Sequence, residues 1–172
     1  MTNDSIKAIL KSAKKLNCSM LSLPGIVSEK KEIINSNKEF IDIYVTDSGL
    51  RKVVAKLLKD GHHARAVEEA FKYIDNLVKK IAKPTDNGLT GKKLMENVFS
   101  AALPLLKLNS GNTQSEKDEQ LGYMQILSGC MVGIRNPRAH EHDWEDSEHR
   151  ALQLIIFADH LITRIRDAEK TN

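Results

Sequence analysis

With 172 residues, 41% hydrophobic and 28% charged, the chain suits one domain with its own core and is too apolar and too mixed in charge for wholesale disorder. A net charge of +3 permits an anionic partner without requiring one, and no apolar run approaches the length of a membrane span or the pattern of a secretory signal. Cys18 and Cys130 form no CxxC pair and cannot make a zinc site by themselves, so two thiols in a reducing cytoplasm are expected, with no cofactor.

Aromatic residues are scarce, so the core must be built from Leu, Ile, Val, Ala and Met, which suit packed helices. Helical spacing of apolar residues begins over 5–16 and is followed by a loop around Pro24 and Gly25. Residues 28–45 read as a helical or irregular connector, although 40–45 alternate enough to resemble a short strand. Asp47 or Ser48 opens a helix with Leu50, Val53, Val54, Leu57 and Leu58 on its buried stripe, ended by Gly61. A longer helix spans about 62–82 and is stopped by Pro84, and Thr90 caps a shorter one carrying Leu94, Val98, Phe99 and Leu103.

A polar loop over 109–115 precedes a helix that starts near Ser115 or Glu116. Gly122, Gly129 and Gly133 lie within it, each costing roughly 1 kcal/mol of helix propensity against Ala. They point to close approach by another helix, at a core contact or a dimer seam. The last helix begins near Ser147, with Ala151, Leu154, Ile155, Ala158, Leu161, Ile162 and Ile165 on one face. The fold class predicted is all-α: an antiparallel helical bundle over 47–172, with an N-terminal helical extension and connector over 1–46.

Chemistry concentrates where the long helix meets Pro137. Proline disfavours helical geometry at the residue before it, so a stop near Arg135 or Asn136 is expected, with His140 folding back toward Arg135 past the bend. Arginine offers a permanent planar fork to phosphate, and an imidazole exchanges protons near neutrality. The pair suits phosphodiester chemistry without a metal, with Asn136 orienting the ring or the phosphate.

The segment Arg135-Asn136-Pro137-Arg138-Ala139-His140 resembles the R-x4-H signature of the HEPN superfamily. More narrowly, residues 61–70, 91–95 and 129–140 are similar to the Ymh family of small prokaryotic proteins. The resemblance spans roughly 48–166 and implies an all-helical, commonly dimeric protein. It implies a metal-independent endoribonuclease whose site is shared across a homodimer, acting on RNA in phage defence or toxin-like growth arrest. Arg135, Asn136 and His140 would be catalytic, and Arg138, His142 and Arg65 would contact nucleic acid. Some HEPN toxins carry a tyrosine two residues after the histidine, where a partner modifies them; His142 stands there in this chain.

Competing readings attach to the same residues. Arg135 and His140 would also serve a helix C-terminus structurally. His140, His142, Asp143, Glu145, Asp146, Glu148 and His149 form a dense set of possible metal ligands, read by preference as a solvated loop. Trp144 either stacks on a base or anchors the loop to the bundle. The alternative to an enzyme is a non-catalytic nucleic-acid-binding or protein-interaction module on the same fold.

Overall fold

The computed structural model describes residues 41–171. The helix expected at 5–16 and the loop after it lie outside the described residues. Those described belong to one compact unit, Ile41–Asn172. It opens on a helical turn over residues 41–44, with Ile41 and Val45 buried, so the core starts ahead of position 47.

Helix α1 (Ser48–Lys59) is capped by Asp47, whose carboxylate accepts the Leu50 amide at 2.8 Å. Leu50 and Val54 are fully buried, and Gly61 turns the chain at φ +79°, where a Cβ would be strained. Helix α2 (His63–Ala82) buries a stripe from Ala66 to Ala82 and packs against α1, and ends at Lys83 in the left-handed region just before Pro84. The last helix, α6 (Glu148–Asp167), starts at the Ser147 cap and packs its Ala151, Ile155, Ala158 and Ile162 face onto α2. Asp159 of α6 is buried and accepts both the Thr46 amide at 2.9 Å and the Asp47 amide at 2.8 Å, which ties the start of the unit to its last helix.

Thr90 makes no capping hydrogen bond to α3 (Gly91–Val98). Capping passes to Asp75 of α2, whose buried carboxylate accepts the Gly91 amide at 2.6 Å and is balanced by Lys79 at 2.7 Å. Helix α3 ends at Val98, well before Leu103, which is exposed. The chain then forms strand β1 (Leu106–Lys107), paired antiparallel with β2 (Glu169–Lys170). Two residues per strand carry no periodicity, so this pairing has no sequence signal. Buried Gln120 closes the region, accepting from the Leu108 amide and donating to the Phe99 and Leu106 carbonyls. Among the described residues no helix is long and apolar enough to cross a membrane. The result is an all-α bundle carrying one small two-stranded sheet.

Asp47 also accepts from Tyr73 at 3.0 Å and from Arg166 at 2.8 Å. Burial raises its pKa, but the Leu50 amide, Arg166 and Tyr73 outweigh that and hold the carboxyl below its usual range. Asp47→Ala is expected to cost about 1–2 kcal/mol in urea unfolding at neutral pH. A carboxyl with a depressed folded pKa stabilises above its unfolded value and loses that contribution as pH falls through the folded one. The gap between variant and wild type should therefore narrow below roughly pH 4.

Candidate active site

Helix α4 (Gln114–Cys130) begins at a capping box, with Thr113 accepting the Glu116 amide and Glu116 returning to the Thr113 amide. It does not stop at Pro137. The backbone passes through a π turn, Met131–Arg135, and continues as α5 (Asn136–His140), with Asn136 at φ −62° and ψ −43°. The expected stop and back-fold of His140 over Arg135 are thus overturned, for a mechanical reason. Proline removes an amide donor and its ring collides with the carbonyl four residues back, but in the first turn of a helix both costs vanish. The π turn resets the ladder by bonding the Asn136 amide to the Met131 carbonyl, five residues back, so Pro137 enters as a first-turn residue of α5.

Because the chain stays helical, Val132, Asn136 and His140 recur every fourth residue on one face. Arg135 and His140, five apart, differ by about 140° in azimuth. Val132, Asn136 and His140 line an open depression of about 760 Å³, together with His142, Asp143 and Trp144 of the loop that follows. Arg135 joins through its neighbour: its Nη1 donates to Asn136 Oδ1 at 3.2 Å. With that oxygen engaged, the Asn136 amide nitrogen keeps donors for a ligand. His140 is exposed, and its imidazole makes no hydrogen bond among the described residues.

Arg138, expected at the phosphate, is placed otherwise. Its side chain is 1% exposed, its Nε and Nη2 hold the Asp146 carboxylate at 2.6 and 2.8 Å, and its Nη1 donates to the Ile134 carbonyl at 2.6 Å. Its guanidinium also lies over the Trp144 ring, 5.4 Å from the centroid. A guanidinium so engaged presents no fork to solvent. Arg138 fastens the loop over residues 141–147 to α5, and sequence reasoning missed that role because an eight-residue separation across a loop carries no periodic signal. Arg65, on the first turn of α2, spends its guanidinium on Glu68 and Glu69, each at 2.7 Å, and does not line the depression. His142 does line it and is exposed.

Asp146 is occupied by Arg138 and, at 3.5 Å, by Arg150. Among the described residues no three His, Cys, Asp or Glu side chains gather closely enough to hold a metal ion. Cys130 is buried, and desolvation pushes its thiol up to about 11. It is a core residue. Cys18 lies outside the described residues.

The glycines of the long helix make no close approach within the described unit: a Cβ built at Gly122, Gly129 or Gly133 meets nothing within 4 Å. The core-contact reading is corrected. Gly129 and Gly133 instead lie exposed beside Ile126 and Val132, which are 41% and 48% exposed. This apolar, small-residue strip runs along α4 and into the depression. Helix α4 thus carries apolar side chains both on its core face, at Leu127 and Cys130, and on its outer one.

A family model described as a protein of unknown function (Hypoth_ymh) matches residues 45–165. No curated protein and no solved structure matches.

Proposed function

The chain belongs to the Ymh family of proteins of unknown function, and from that premise we propose that it is a metal-independent endoribonuclease of HEPN type, working as a homodimer. The observation that carries the reading is the shared face of Asn136 and His140 on an open depression, with Arg135 hydrogen-bonded to Asn136. In the proposed reaction His140 takes the proton of a ribose 2′-hydroxyl, whose oxygen attacks the adjacent phosphorus. The bond from phosphorus to the 5′ oxygen breaks, and that oxygen leaves with a proton from the partner subunit's His140. The products are a 2′,3′-cyclic phosphate and a 5′-hydroxyl. Arg135 and the Asn136 amide stabilise the charge that develops on the phosphoryl oxygens.

Charge and surface together support the homodimer reading. In one copy the half-buried Arg135 reaches the depression only through Asn136, and the lining also carries Glu141 and Asp143, carboxylates that repel phosphate. A second copy docked on the Ile126, Gly129 and Val132 strip doubles the arginines and histidines beside one phosphate and covers apolar surface otherwise left in water. The cytoplasmic role proposed is phage defence or toxin-like growth arrest.

Ile126→Glu and Gly129→Arg are expected to convert a dimer into a monomer in light scattering and to abolish RNA cleavage in EDTA. A wild type that is monomeric at micromolar concentration would remove the shared site. The acidic rim also supports a second reading, a non-catalytic binding or adaptor module; dimerisation without cleavage of any RNA, and without growth arrest on overexpression, would favour it.

A further inference from the structure

Trp144 is the chain's one tryptophan. It is half-buried: the Arg138 guanidinium lies over the ring, and Trp144 lines the same depression as Asn136 and His140. That guanidinium is pinned by Asp146 and by the Ile134 carbonyl, so the indole rests on a fixed support. We propose that Trp144 is a nucleobase platform: the base next to the phosphate handled by Asn136 and His140 leaves its stack and lies on the open part of the indole. The placement of the phosphate rests on the ribonuclease reading; the stacking itself does not need turnover.

Two observations make stacking the main source of affinity. Glu141 and Asp143 share the rim of the depression, so general phosphate attraction is weak at this place. Arg138, the other arginine of the motif, is committed to Asp146. A π surface on the depression supplies binding that acidic neighbours do not oppose, because every base has a face to offer. A duplex keeps its base faces covered, so the platform selects an unpaired nucleotide. The binding should also depend weakly on salt, since few counterions are released.

The test uses the full chain and a short, unstructured 2′-O-methyl oligoadenylate, which lacks the attacking hydroxyl and cannot be cut. With excitation at the red edge, indole emission reports from Trp144 alone. Saturable quenching by the single strand is expected, and none by the same strand annealed to its complement. By anisotropy of a labelled oligonucleotide, Trp144→Leu should bind about ten- to a hundredfold more weakly, and Trp144→Phe should restore most of the loss. Emission that stays unchanged while anisotropy saturates would overturn the proposal, as would no binding at all or wild-type affinity in a folded Trp144→Leu chain. Quenching without cleavage of the matching RNA keeps the platform and ends the ribonuclease; cleavage that needs His140 with a silent indole does the reverse.

Discussion

His140→Ala is expected to lower RNA cleavage by roughly 10²–10⁴-fold, the range for removing a positioned general acid or base, while the fold is untouched. The imidazole is exposed and makes no hydrogen bond among the described residues, so its loss leaves no buried group unpaired. Arg135→Ala should cost roughly 10²–10³-fold, the usual effect of removing one donor from a developing oxyanion. It should act mainly on turnover, because the guanidinium matters most when the phosphoryl oxygens gain charge. Asn136→Ala should remove both the donors at the depression and the acceptor that holds Arg135. Its effect and that of Arg135→Ala should therefore combine to less than their sum. Single-turnover rates with circular dichroism on each variant check these points.

Asp146→Ala is the substitution expected to cost most stability, about 3–5 kcal/mol in urea or thermal unfolding. Both side chains of the pair are sealed, at 1% and 0% exposure, and alanine strands the Arg138 charge with the Ile134 carbonyl as its remaining acceptor. A loss of that size is a large fraction of the 5–15 kcal/mol typical of a domain. Replacing both partners, as Arg138→Met with Asp146→Leu, should recover much of it, since an apolar pair of similar volume carries no desolvation penalty. Unchanged unfolding in Asp146→Ala would mean that the pair is solvated. The consequence reaches the site, because this pair fixes the loop that carries His142, Asp143 and Trp144 to the helix that carries Asn136 and His140.

Most of the helical scaffold was legible because burial follows the 3.6-residue period. Leu50 and Val54, the Ala66 to Ala82 stripe, and Ala151 to Ile165 lie where the pattern puts them. The caps at Asp47 and Ser147 were equally readable from side-chain chemistry. What escaped is what needs partners distant in sequence: Asp75 capping α3, β1 pairing with β2, and Asp146 seated on Arg138. Pro137 misled in an instructive way. Its local rule is sound, but a π turn upstream converts a helix breaker into a helix opener. The consequence for the site is a change of partners. Asn136, not Arg135, stands on the face of His140, and the arginine acts through the asparagine.

The chemistry of the cut ends tests the central claim most directly. Wild-type protein is incubated with single-stranded RNA in EDTA, and the fragments are read by mass spectrometry. A site made of imidazole, guanidinium and amide alone predicts 2′,3′-cyclic phosphate and 5′-hydroxyl termini that vanish with His140→Ala. Fragments with 3′-hydroxyl ends that form only when magnesium is supplied, or equal cleavage by the His140→Ala variant, would contradict it.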